Sequence, residues 1–227
     1  MIFFVIIALE LLALYLLSRR LTQNLYATIF LLTKSRPVAI SFLSILFFPG
    51  TVIHELAHLF TAEIVGVRTS GLTLVPEGLE KTDVRTGSVS IAKSDPVRRA
   101  VIGIAPVIWG LGALGLISYF MPQLTFPIVI LLYYLLFAIS NTMFSSPEDL
   151  DGFWPVAVVL ILIAAAAYIA GIRITLTDPV LSNITIFFQS MATNLGYVAG
   201  LNIGIFLVSK LLILGVEKIS KRKLVTK

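Results

Sequence analysis

Six apolar stretches, each near or above the roughly 20 residues that cross a bilayer, divide this 227-residue chain. They run over Met1–Leu17, Val38–Val67, Ala100–Phe120, Phe126–Phe144, Phe153–Ile172 and Leu181–Ile213. Charged residues mostly punctuate these stretches. They make up 13% of the chain, against roughly 25% in a typical soluble domain. Hydrophobic residues reach 58%, and the mean hydropathy is +0.99. A chain of this size leaves too much surface exposed to keep that much apolar material from water. The pattern excludes a soluble enzyme and a disordered chain. With Cys at 0, it also excludes a disulfide scaffold, a thiolate metal site and a cysteine nucleophile. The expected fold is an all-α polytopic membrane protein of about six transmembrane helices.

Local signals refine that expectation. Met1–Leu17 has no basic lead-in and no small-residue cleavage site, so it reads as a retained helix closed by Arg19 and Arg20. Leu21–Thr33 is too short to span and reads as an interfacial or re-entrant segment. Glu10 lies at membrane depth, where a carboxylate is costly, and is expected inside the helix bundle. Pro49-Gly50 predicts a kink or break, with a fresh helix starting near Thr51 as N-cap. The longest polar stretch, Arg68–Arg99, holds two strand-like pieces, Leu72–Val75 and Ser88–Ile91, and predicts a small β-hairpin-like insertion between the second and third helices. The whole reads as one membrane domain, residues 1–227. Its core is 38–152, and 1–37 and 153–227 are accessory helices.

The net charge of +5 is no sign of nucleic-acid binding. The cations flank apolar runs or sit in the tail, as Lys218, Lys221, Arg222, Lys223 and Lys227, where they anchor loops to anionic lipid. An even number of spans puts both termini on one face. That face also carries Arg68, Lys81, Arg85, Lys93, Arg98 and Arg99, against Arg19, Arg20, Lys34, Arg36 and Arg173 on the other. The positive-inside rule then predicts a multi-pass protein of the cell membrane with cytoplasmic termini.

The second apolar stretch contains the only two histidines of the chain, in His54-Glu55-Leu56-Ala57-His58. Residues four apart share a helix face, so both imidazoles can reach one ion. Glu55 follows the first histidine and is placed as a general base toward a metal-activated water. Ionisable residues in an apolar helix mark function by default. These residues predict one bound zinc ion.

A catalytic zinc takes a third protein ligand and keeps a fourth position open. No histidine or cysteine remains, so the third is a carboxylate. The histidines precede Arg68 by 10 and 14 residues, roughly 15–21 Å of helix. They are reached from the face where the fourth stretch ends in Asn141–Gly152. That run carries Glu148, Asp149 and Asp151.

An HExxH inside a transmembrane helix, followed some ninety residues later by an Asn…Leu-Asp-Gly run, resembles the site-2 protease family of intramembrane zinc metalloproteases. The six-span plan is similar, and so is Ile104-Ala105-Pro106-Val107 in the third span. The resemblance covers roughly residues 38–152. It implies a metal-ligating aspartate eight residues after the asparagine. Spacing from Asn141 selects Asp149. The letters Leu150-Asp151-Gly152 select Asp151 instead, and Phe144 stands where the family has its first proline. Asp149 is expected as the ligand, with Asp151 as the alternative. On a helix the two would point about 200° apart. The resemblance also implies that Asn141 donates to a developing oxyanion or steers substrate. Read from the residues alone, Asn141 serves equally as a helix-packing amide.

The expected activity is hydrolysis of a peptide bond in a transmembrane segment of a protein or peptide substrate. A helix hides its carbonyls, so that segment must unwind. One of the two strand-like pieces could receive it as an added strand. The competing reading is a non-enzyme that binds zinc or transmembrane helices. A carrier has no use for a base beside the first histidine, and it needs further ligands along a path. A surface protease with a soluble-type site would need a glutamate ligand from a later polar helix, and none is evident. Asn194 and Asn202, with Gly196, Gly200 and Gly204, read as close helix packing. Glu63 reads as a surface residue.

Overall fold

The computed structural model describes residues 2–74, 87–92, 94–121, 124–144, 153–171 and 177–220. Between Ile2 and Thr33 there is neither glycine nor proline, and the chain forms one 32-residue helix, α1 (Ile2–Thr33). This replaces the expected span-plus-re-entrant arrangement. Arg19 and Arg20 do not end the helix, because arginine is a good helix former. Arg19 lays its guanidinium over the Tyr15 ring at 5.7 Å. The helix stops at Lys34, whose φ of 52° is left-handed and whose N–H bonds the Phe30 carbonyl at 2.7 Å. That is a helix cap usually given to glycine.

Helix α2 (Arg36–Ile64) opens with Pro37 in its first turn and passes through Pro49 unbroken. The expected new start at Thr51 is absent. Instead the Thr51 hydroxyl donates to the Phe47 carbonyl one turn back, at 3.2 Å. Pro49 has no N–H for the Ile45 carbonyl. The Tyr134 hydroxyl, from a neighbouring helix, reaches the Ile45 and Leu46 carbonyls at 3.4 and 3.1 Å. The helix ends where Gly66 turns to φ 71°. There the Val67 N–H bonds the Ala62 carbonyl at 2.8 Å, and Val67 packs with Ala62 and Ile102, the apolar contact that accompanies such caps.

Strands β1 (Thr69–Thr73) and β2 (Ser88–Ile91) form a two-stranded antiparallel sheet. Leu72 pairs with Val89 and Thr73 with Ser88, with an irregularity between Thr69 and Leu72. Gly71, at φ 80°, absorbs it. The second strand falls where the sequence put it. The first begins three residues earlier than expected, and Val75 lies outside the described residues.

Asp95 caps α3 (Pro96–Phe120), accepting from the Val97 and Arg98 N–H groups at 3.1 and 3.0 Å. The Arg98 N–H, aided by its guanidinium, holds the Asp95 carboxyl below its ordinary value. Then come α4 (Phe126–Thr142), α5 (Phe153–Ile169) and the 43-residue α6 (Asp178–Ser220).

The chain is a helical membrane protein. Among the described residues, α1, α2, α3 and α6 are long and apolar enough to cross a bilayer, and α4 is a shorter apolar helix. Large apolar side chains such as Leu9, Ile45, Ile108, Leu116 and Leu211 face outward. Ser118, Ser140, Asn141, Thr142, Asn194 and Asn202 are buried between helices. Lipid rewards neither helix association nor exposed polar groups, so polar and small residues collect at helix contacts. Tyr133 donates to Asn194 at 2.9 Å, and Glu10 lies against α6 where Gly196 leaves room. Glycines 200 and 204 have open space where a Cβ would go, so they do not serve the close packing expected of them. Glu63 is exposed and accepts from Thr69 at 3.3 Å.

Phe4 meets Phe188, Glu10 meets Gly196 and the Thr28 hydroxyl reaches the Ser209 carbonyl. The contacts advance together, so α1 and α6 are parallel neighbours. Six alternating spans would set the first and last antiparallel. The continuity of α1 through the arginine pair is what lets it follow α6 this far. Because the chain has no native cysteine, Ile2→Cys and Lys218→Cys can be probed singly with an impermeant thiol reagent. The parallel pair predicts labelling from opposite sides of the membrane, and labelling from the same side would contradict it.

Candidate metal centre

The inward face of α2 is written in steps of three and four. Gly50, Thr51, His54, Glu55, Ala57, His58, Thr61 and Ala62 are all buried. The motif therefore faces the other helices and not lipid. His54, Glu55 and His58 are 6%, 7% and 8% exposed.

Three contacts fix this turn. First, the rings of His54 and His58 stand at 81° with their Nε2 atoms 3.2 Å apart. Two nitrogens bound to one tetrahedral zinc at ~2.05 Å each are about 3.3 Å apart. The pair is at hydrogen-bond distance, a separation that two ligands of one ion would also have. Second, His58 Nδ1 lies 2.9 Å from the Ile102 carbonyl on α3. A carbonyl only accepts, so Nδ1 carries the proton and the Nε2 lone pair is left to face His54. Third, a Cβ placed on Gly87, just before β2, would lie 2.9 Å from Glu55 Oε1 and 3.0 Å from Thr51 Cγ2. The backbone entering β2 therefore lies directly over the Glu55 carboxylate.

The end of α4 packs one helical turn before His54. A side chain at Gly50 would strike the Thr142 hydroxyl and the Ala138 carbonyl. Gly110 gives α3 the same closeness to Met143, 3.1 Å from where its Cβ would be. Thus the last turn of α4 ends one helical turn from His54. Asp149 and Asp151, like Glu148, lie outside the described residues. Among the described residues no group of three or more His, Cys, Asp or Glu side chains converges.

Asn141 is buried and tied to α6. Its Nδ2 donates to the Phe137 carbonyl at 2.7 Å and to Asn202 Oδ1 at 3.2 Å, while Asn202 Nδ2 returns a bond to Asn141 Oδ1 at 3.1 Å. These bonds join α4 to α6. Sequence reasoning missed Ile102 and Gly87. Both act through the backbone, and no side-chain motif encodes them.

No family model, curated protein or solved structure matches this chain.

Gly50→Ala should part α2 from α4 at the turn before His54. Overpacking of this kind costs ~1–3 kcal/mol, seen as a lower thermal midpoint in detergent. An unchanged midpoint would show that the two helices are not held at this distance.

Proposed function

We propose that this protein is an intramembrane zinc endopeptidase that cuts transmembrane segments, as the likeness to the site-2 protease family implies. The observation that carries this reading is the histidine pair. Two imidazole nitrogens lie 3.2 Å apart on the buried face of a membrane-length helix, beside a buried glutamate.

His54 and His58 would hold the metal together with a carboxylate from the run after α4, Asp149 by spacing or Asp151 by its neighbours. Asp149 is seven residues past Thr142, and seven residues of chain reach up to ~25 Å. When bound, zinc lowers the pKa of a water and polarises the scissile carbonyl. Glu55 takes the proton of the attacking water and returns it to the leaving amine. Its burial keeps it away from bulk solvent.

The sheet serves substrate. Each strand of a two-stranded sheet keeps one unpaired edge, and a segment unwound from a helix can satisfy its backbone there. The entry to β2 lies over Glu55, so a strand added to this sheet would run beside the base. In this reading α4 also crosses the membrane, which makes five spans and keeps α1 parallel to α6. Its 17 residues rise roughly 26 Å, at the short end of spanning length.

The test uses the purified protein and a single-span reporter. Glu55→Gln should keep zinc and lose cleavage by about 10²–10⁴-fold. Asp149→Ala should lose zinc, whereas Asp151→Ala should keep it. The opposite pattern would reassign the ligand. Cleavage retained in Glu55→Gln would overturn the mechanism. Zinc binding with no cleavage of the reporter by the unaltered protein would favour the zinc-binding, non-enzymatic reading.

A further inference from the structure

Helix α3 carries a proline in its interior, Pro106. In a regular helix the N–H of residue 106 would bond the carbonyl of Ile102. Proline has no N–H, and its ring pushes the carbonyl four residues back away from the helix axis. Ile102 and Pro106 are both buried, so water does not supply the missing donor. The orphaned carbonyl is the one that takes His58 Nδ1 at 2.9 Å.

A neutral imidazole carries one proton on either nitrogen, and the partner of one nitrogen decides the state of the other. Nothing in His58 itself favours Nδ1–H. The Ile102 carbonyl does, and it turns the ring so that Nε2 faces His54. We infer that Pro106 is a positioning residue of the metal centre. By releasing the Ile102 carbonyl it fixes His58 in its Nδ1–H form and presents the Nε2 lone pair to the ion. The inference rests on reading His58 as a zinc ligand. At Pro49 of α2 the Tyr134 hydroxyl from α4 bonds the Leu46 carbonyl at 3.1 Å and lies 3.4 Å from the orphaned Ile45 carbonyl, so a neighbouring-helix donor stands beside the freed carbonyl there too.

The alternative role for Pro106 is to bend α3 by its ring alone. Two variants of the full-length protein separate the roles. Pro106→Ala restores the N–H and removes the ring. An ester-linked alanine analogue at position 106 removes the ring but still lacks the N–H. The chain has two histidines, so four ¹⁵N imidazole signals report both rings, read in metal-free protein at a pH where the rings are neutral. Zinc affinity is read separately by chelator competition.

The unaltered protein should show His58 protonated on Nδ1. Pro106→Ala should move His58 toward a mixture of forms and weaken zinc binding by about 10–100-fold, the range for losing an outer partner of a ligand. The ester analogue should behave like the unaltered protein. Identical ¹⁵N signals and zinc affinity in Pro106→Ala would overturn the inference, as would an ester analogue that behaves like Pro106→Ala. If Pro106→Ala shifts the His58 signals but even the unaltered protein binds no zinc, the role of Pro106 in fixing His58 stands and the proposed function falls.

Discussion

A backbone carbonyl that loses its helical donor inside lipid has no water to replace it, so some other group in the protein must take it. Two prolines inside described helices impose that condition here, and a donor from a neighbouring helix stands beside each orphaned carbonyl. Tyr134 answers Pro49 and ties α4 to α2. His58 answers Pro106 and ties α2 to α3. The histidine turn lies between these ties. In water such prolines would weaken their helices. In lipid they turn a lost hydrogen bond into a cross-link, and one of those cross-links orients an imidazole.

The rest of the bundle supports this turn by close approach. Lipid tails are as apolar as leucine, so helices gain little by hiding apolar surface from them. Contacts between helices depend on packing, and on polar pairs worth only ~0.6 kcal/mol on average. Gly50 and Gly110 let α4 come close to α2 and α3 at the level of the motif. Asn141 and Asn202 join α4 to α6 by reciprocal amide bonds. Glu55 faces a different neighbour, the backbone of the short sheet at Gly87. The histidine side and the glutamate side of the motif therefore pack against different elements.

Much of this was legible in the sequence, and the failures have physical causes. Apolar length gave the helical membrane class. The i, i+4 spacing put both histidines on one face, and the strand Ser88–Ile91 fell where alternation placed it. Arg19 and Arg20 misled because charge was taken for a helix end, although arginine does not break helices. The break and fresh start expected at Pro49 failed because the carbonyls one turn earlier, at Ile45 and Leu46, face Tyr134 from a helix far along the chain. The Ile102 carbonyl was invisible to a search for side-chain ligands, although Pro106 four residues later marks it. Asn141 was read with two roles, and its partner Asn202 on α6, 61 positions away, was not legible in the sequence. The choice between Asp149 and Asp151 lies outside the described residues.

The central claim is that His54 and His58 share one zinc ion with a carboxylate. X-ray absorption at the zinc edge of the purified full-length protein tests it directly. The account predicts about one zinc per chain, two imidazoles in its shell, and only nitrogen and oxygen ligands at roughly 2.0–2.2 Å. A protein that retains no zinc, or a zinc shell without paired imidazole scattering, would contradict it.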